Sequence, residues 1–250
     1  KNNISVIGKI NKGIAWNKNR GIFYFTNLVR AKYIILMDDD ICPYISGWDY
    51  EWILACQRVG HINYIPDGGK ILSSHSEINA SRLGVASWVG GMIIAQSASA
   101  ILNVGYMDIR YGRYGHEHVD FSIRFLRAGF GGALCKINNE LHNRFYVIRS
   151  GVLLKEVPSS GSREEYIKNE ILLKSLLNDP IYRLPWRGDE EMEEFLNEYT
   201  DIPRHMENPP VPTANFDSDS YQKKNLDVKE SSFDAFTHYV ENGFREKREL

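Results

Sequence analysis

The stretch Lys32-Tyr-Ile-Ile-Leu-Met-Asp-Asp-Asp40 decides how this chain is read. The apolar run Tyr33 to Met37 has the length of a buried strand and is far too short to cross a bilayer. Three consecutive carboxylates end it. In α/β sheets, ligands bind beyond the C-terminal ends of strands, so Asp38, Asp39 and Asp40 are expected at a binding edge. Carboxylates this close repel one another, by about 4 kcal/mol for a pair ~4 Å apart at an effective dielectric of ~20. A hard divalent cation, Mg²⁺ or Mn²⁺, would relieve that repulsion, held by one or two carboxylates and completed by phosphate oxygens. Asp38 and Asp40 are the candidate metal ligands, with Asp39 between them. The plain alternative is an N-cap or a solvated turn, where aspartate is common.

Working outward, strand and helix signals alternate. Ile4-Ser-Val-Ile7 reads as a short strand, Gly13 to Ala31 as a helix, and Gly47 to Val59 as another. His61–Ile65 is a strand candidate, then Pro66-Asp-Gly-Gly69 a turn. Met92–Ala95 reads as a strand and Gln96–Asn103 as a short helix. Glu117 to Ala128 carries Val119, Ile123 and Leu126 at helical spacing and is stopped by Gly129. Ala133–Ile137 closes the series as a strand. This alternation predicts an α/β domain over 1–150 with a mixed, largely parallel sheet flanked by helices. A helical extension is expected over 151–202, where Ser162-Arg-Glu-Glu165 is a capping box and Asn178-Asp-Pro180 a stop. Gly188 to Asp201 holds seven acidic residues and no basic one, which reads as a solvated helix face. Residues 203–215 are expected to be a proline-rich linker, and 216–250 a small helical appendage.

The 250 residues comprise one large domain or a domain plus an appendage, with apolar residues at 43% enough for a sizeable core. Thirty basic against thirty-two acidic side chains leave a net charge of −2, without the basic footprint of a nucleic-acid binder. Cys42, Cys56 and Cys135 are odd in number and lack a CxxC, against a disulfide framework or a zinc knuckle. With no secretory leader read, a reduced, cytoplasmic location is the expectation. The chain enters a strand-like run within a few residues of Lys1, so further sequence is expected upstream.

A second chemistry-bearing stretch is Tyr111-Gly-Arg-Tyr-Gly-His-Glu-His-Val-Asp120. Two glycines and two aromatics make a tight loop, then acidic and imidazole groups open a helix. Such a start can hold a general base against a substrate hydroxyl. Glu117 and Asp120 share a face at three-residue spacing while His118 points elsewhere. The structural alternative is that Glu117 only caps and Asp120 only pairs with Arg124. Trp88-Val-Gly-Gly91 places paired glycines, Gly90 and Gly91, where backbone or ligand can approach closely. Asn11-Lys-Gly-Ile-Ala-Trp-Asn-Lys-Asn-Arg-Gly21 opens the first helix with amides and positive charge suited to phosphates. His142 is a candidate third metal ligand.

Taken together, Asn11-x-Gly13 with Asn19-Arg-Gly21, the run into three aspartates, Trp-Val-Gly-Gly and Gly-His-Glu-His-Val-Asp-Phe-Ser-x-Arg resemble a family 2-type glycosyltransferase of the GT-A fold. The resemblance spans roughly residues 1–145, and the family's opening strand–helix–strand unit that grips uracil lies outside it. It implies metal, ribose and diphosphate binding at Asp38–Asp40, and donor or acceptor contacts from Asn11, Gly13, Asn19, Arg20, Trp88, Gly90 and Gly91. The family's Glu-Asp pair, whose Asp is the base, aligns with Glu117-His118. Here either the imidazole deprotonates the acceptor, or Glu117 or Asp120 does. The tail from Phe216 onward resembles, over about thirty residues, a small repeat appended to bacterial polysaccharide glycosyltransferases.

The implied activity is metal-dependent transfer of a sugar from a nucleotide-diphosphate sugar, a UDP-sugar by resemblance, to a glycan hydroxyl with inversion. A partner or second copy would dock on the helical C-terminal region. The rival readings are a retaining glycosyltransferase, a nucleotidyltransferase, and a carbohydrate-binding or scaffolding remnant without catalysis.

Overall fold

The computed structural model describes residues 11–73, 77–149, 151–154, 161–199, 216–231, 234–239, 246 and 248. The expected strand at Ile4–Ile7 and the 203–215 linker lie outside these. The first helix, α1 (Ile14–Phe23), runs on into a π-helical turn at Tyr24–Leu28 and leads to β1 (Tyr33–Met37). After β1 come β2 (Ile41–Pro43), α2 (Trp48–Val59), β3 (His61–Tyr64), β4 (Gly84–Ala86), β5 (Gly90–Ser97) and α3 (Ala98–Val104). Then follow α4 (Glu117–Arg127), β6 (Gly132–Ile137), β7 (Glu140–Ile148), β8 (Val152–Leu154), α5 (Arg163–Leu176) and α6 (Asp189–Asn197).

Among the described residues a six-stranded sheet has the order β1-β5-β3-β7-β4, with β6 also paired to β7. β2 and β8 form a separate antiparallel pair. The expected largely parallel sheet is corrected here. β1 with β5, β5 with β3, β7 with β4 and β6 with β7 are all antiparallel, and only β3 with β7 is parallel. The physical reason is that an intervening helix does not by itself force a crossover. Asn138 and Asn139, both at positive φ, fold the chain back as a hairpin after β6, so β7 returns beside it.

The sheet is the middle of three layers. Along β5 the pleat sends Ile94 to one face and Ile93 and Ala95 to the other. Ile94 packs with Ala15 and Ile22 of α1, Ala100 and Val104 of α3, and Phe121 and Phe125 of α4. The opposite face receives Trp52, Ala55 and Cys56 of α2. The three cysteines are free, and burial pushes the Cys56 thiol up to about 12. Among the described residues no helix is long and apolar enough to cross a membrane.

The extension does not stand apart, since Lys1–Asp201 forms one compact unit. Both capping-box hydrogen bonds, between Ser162 and Glu165, are present at the start of α5. The acidic helix α6 does present a solvated face, with Asp189, Glu190, Glu193 and Glu194 exposed, and its other side docks on the domain. It buries Phe195 against Trp16 and Phe23 of α1, at ring separations of 5.3 and 5.4 Å. Its acidic residues are drawn to basic residues on and beside α1, Glu194 to Lys12 and Glu198 to Arg20. Ile202–Leu250 is a second unit. In it α7 (Ser218–Lys224), α8 (Leu226–Glu230) and α9 (Ala235–His238) bury Tyr221, Val228, Ala235 and Tyr239 together.

A buried polar network crosses the first unit. His61 is fully buried and stacked on Phe125 at 4.1 Å, with Nε2 3.1 Å from Ser122 Oγ. Ser122 donates its one proton to Asn63 Oδ1, so Nε2–H is the donor to the hydroxyl, and the buried Nδ1 has no acceptor to hold a second proton. Burial pushes the His61 pKa down to about 3. The unfolded chain, with histidine near 6.5, therefore binds the extra proton between about pH 6.5 and 3. Stability from this site is complete above that window and is lost as pH falls through it, by at most about 1.4 kcal/mol per pH unit. Urea unfolding at pH 7, 6, 5 and 4 should show this slope in the wild type. In His61→Gln, which cannot titrate, the midpoint should fall less over the same range; equal falls would contradict the assignment.

Candidate functional site

The site is built from the end of β1 and the start of β5. The β1–β5 ladder pairs Met37 with Ile93, and the Asp38 N–H carries it one residue further by donating to Met92 O at 2.8 Å. The chain then turns, Ile41 N–H donating to Asp38 O. The three carboxylates thus leave the sheet opposite Gly91 and Met92. They line a cleft of about 800 Å³ together with Ile14, Asn17 and Lys18 of α1, Tyr114, and Glu117 and His118 of α4.

α4 begins abruptly. His116 sits at φ 68°, an uncommon conformation for a side-chain-bearing residue, with its ring 4.3 Å from that of Tyr166 on α5. That turn aims the first residues of α4 at the cleft. Glu117 is 4% exposed and approaches His118 Nδ1 at 3.3 Å through Oε1, while its buried Oε2 has no partner. Burial pushes the Glu117 carboxyl up. The hydrogen bond and charge of His118, helped by Lys18, outweigh it and hold the group below its ordinary value. When the imidazole is neutral, Nδ1–H donates to this carboxylate and Nε2 keeps a lone pair.

Gly91 explains where the imidazole sits. A Cβ there would lie 2.4 Å from His118 Cγ and 2.5 Å from its Nδ1. The glycine makes room for the protein's own ring, not for a ligand. On the other side Lys18 Nζ donates to Gly91 O at 2.9 Å and lies 2.8 Å from Asp38 Oδ1. Asp40 has a raised pKa, from burial first and then the charge of Asp38, and its buried Oδ1 has no partner. Among the described residues no group of three or more His, Cys, Asp and Glu side chains is arranged to hold a metal ion. Asp38 and Asp40 do offer two carboxylates, one with an unpartnered oxygen, and that donor set suits an ion whose shell substrate oxygens complete.

The structure therefore brings Asp38, Asp39, Asp40, Gly91, Glu117 and His118 together. Asn11 and Gly13 line a smaller pocket of about 140 Å³ with Asn17, Arg113, Tyr114 and Glu165. Gly13, at φ 95°, lets α1 approach Gly112, whose carbonyl oxygen would be 1.9 Å from a Cβ. The Ile14 N–H donates to Arg113 O, so that helix-terminal amide is already used.

Other candidate residues lie elsewhere. Asn19 is fully buried, exchanging two hydrogen bonds with the Met107 backbone. Arg20 is paired through two nitrogens with Glu198. Asp120 holds the buried Arg124 at 2.8 Å, the structural alternative foreseen for it. Trp88 and Gly90 do not line the cleft; Trp88 is exposed, and Gly90 abuts the Met92 side chain. His142 lies within β7, opposite Cys135, and has Glu140 at 3.9 Å. It is not brought to Asp38 and Asp40, because the chain turns back through Asn138-Asn139 and His142 is taken into β7 beside β6.

Lys18, Asn17 and Tyr114 were not singled out in the sequence. Helical spacing carries the signal for two of them. Ile14, Asn17 and Lys18 share one face of α1, Ala15, Asn19 and Ile22 a second, and Trp16, Arg20 and Phe23 a third. No protein-family model and no curated protein matches the chain.

The seat of His118 is testable by a double-mutant cycle. Gly91→Ala should destabilise by about 1–3 kcal/mol through overpacking. In a His118→Ala background the same change should cost at least 1 kcal/mol less, read from urea unfolding. Additive costs would show that the ring does not occupy that space.

Proposed function

We propose that the cleft is the active site of a metal-dependent glycosyltransferase, moving a sugar from a nucleotide-diphosphate donor, a UDP-sugar, to a glycan hydroxyl. The observation that carries this reading is the meeting, in one cleft, of three strand-end carboxylates with the Glu117–His118 pair. Asp38 and Asp40 would hold the divalent ion. When bound, Mn²⁺ or Mg²⁺ supplies Lewis-acid stabilisation of the departing diphosphate.

The residues of α4 handle the proton. In this reading His118 takes it from the acceptor hydroxyl through Nε2, while Glu117 holds the Nδ1–H and stabilises the imidazolium formed. The acceptor oxygen bonds to the anomeric carbon as the bond from that carbon to the diphosphate oxygen breaks. The leaving group departs with the electron pair, and charge at the sugar resembles an oxocarbenium ion. Direct displacement inverts the anomeric centre. Tyr114 offers an aromatic surface where the cleft meets the smaller pocket, suited to packing against a pyranose face. The amides of Asn11 and Asn17 suit its hydroxyls.

Calorimetric titration of UDP with and without Mn²⁺ tests the proposal. Binding should require the metal, and Asp40→Asn should weaken it at least tenfold without lowering the urea midpoint, since that carboxylate's ionisation is already disfavoured. With a donor found by screening UDP-sugars, His118→Ala should slow transfer by about 10²–10⁴. No UDP binding under any condition would sink this chain as a self-sufficient transferase and favour a non-catalytic carbohydrate-binding role.

A further inference from the structure

Lys18 is the one Lys or Arg among the residues lining the cleft, which it shares with Asp38, Asp39, Asp40 and Glu117. Its side chain is 11% exposed, and its ammonium is shared between Gly91 O and Asp38 Oδ1. We propose that Lys18 competes with the divalent cation for Asp38, so that metal is held tightly only together with a diphosphate. The inference rests on the glycosyltransferase reading, because it takes Asp38 and Asp40 as the metal's protein ligands.

The ammonium already serves as the counter-ion of Asp38. It also ties α1 to the β1–β5 edge, since Gly91 is in β5 and Asp38 is the residue just past β1. A divalent ion taking Asp38 must displace or share that contact, and two cations a few ångströms apart repel each other in a partly buried site. The displaced ammonium would be left with a backbone carbonyl alone, a poor exchange for a carboxylate.

Other carboxylate oxygens do not remove the conflict. The unpartnered Asp40 Oδ1 and Glu117 Oε2 show acceptor capacity left over in the cleft, yet both groups also feel the charge of the same ammonium. A diphosphate resolves it on both sides. Its oxygens complete the shell of a metal that prefers one or two carboxylates plus phosphate, and they give the ammonium a second anion. Metal and diphosphate then strengthen each other's binding by the same factor, and that coupling passes through the charge on Lys18.

The test is Mn²⁺ binding to the full chain, followed by the electron-paramagnetic-resonance signal of free Mn²⁺, with and without UDP. In the wild type UDP should tighten Mn²⁺ at least tenfold. Lys18→Gln should bind Mn²⁺ alone at least tenfold more tightly than the wild type and gain less from UDP, while Lys18→Arg should behave as the wild type. Lys18→Met, which keeps the apolar stem, carries the same expectation if Lys18→Gln does not fold. A folded neutral variant that binds Mn²⁺ alone no more tightly than a wild type showing UDP-linked binding overturns this inference and leaves the transferase reading intact. No UDP-linked Mn²⁺ in any of the proteins overturns both.

Discussion

The hydrogen bond from Asp38 N–H to Met92 O is the point on which the cleft depends. It extends the β1–β5 ladder one residue past β1 and fixes Asp38 across from the start of β5. Everything else in the cleft is referenced to that edge. Gly91 carries His118 on its bare Cα and accepts from Lys18 through its carbonyl. A glycine at this position therefore serves two helices at once. α4 comes close enough to seat an imidazole, and α1 close enough to seat an ammonium. A side chain there would push α4 away from the carboxylates.

The second requirement is that α1 be held on all sides, because Lys18 acts from its middle. One face enters the core through Ala15 and Ile22, with Asn19 exchanging hydrogen bonds with the Met107 backbone. Another face packs Trp16 and Phe23 on Phe195 of α6, and Arg20 on Glu198. The acidic run of α6 is thus an electrostatic match for the basic residues of and beside α1. Tyr199 adds a hydrogen bond from its hydroxyl to Arg20 O. The extension after the sheet domain works as a brace for the site, which explains why it belongs to the same compact unit.

Much of this was legible from residue pattern. The spacing of apolar residues located β1, α2, α4 and β6, and the strand-end aspartates marked the cleft. The capping box at Ser162 set the start of α5. Strand direction was not legible, because alternation of element types is compatible with either sense of pairing. The Asn138-Asn139 pair was the available clue, since two residues tolerant of positive φ between β-prone runs make a hairpin. The same hairpin carries His142 away from the carboxylates. For α1, Asn19 and Arg20 were implied by the resemblance carried by Asn19-Arg-Gly21, whereas the 3.6-residue period sorts them and Lys18 onto different faces. The docking of α6 was hidden because charge dominates its composition while a single fully buried aromatic, Phe195, anchors it.

The electrostatics of the cleft give its chemistry a direction. Glu117 is kept ionised by His118 and Lys18 despite burial, whereas ionisation of Asp40 is disfavoured by burial and by Asp38. Two carboxylates in one cleft are therefore pushed opposite ways, the pattern that separates roles in acid–base sites. Glu117 spends its charge on the imidazole beside it, which leaves Nε2 as the basic atom of the pair. Asp40 retains an unspent demand for a cation. Lys18 meets part of the demand from Asp38 but its one charge cannot balance three aspartates and a glutamate. What the cleft lacks is more positive charge near Asp40, and what a cation brought there would lack is a full set of oxygen ligands. On the proposed reading, a phosphate-bearing ligand arriving with a divalent ion would supply both deficits together, and that complementarity would link the carboxylate edge of the sheet to the imidazole opposite it.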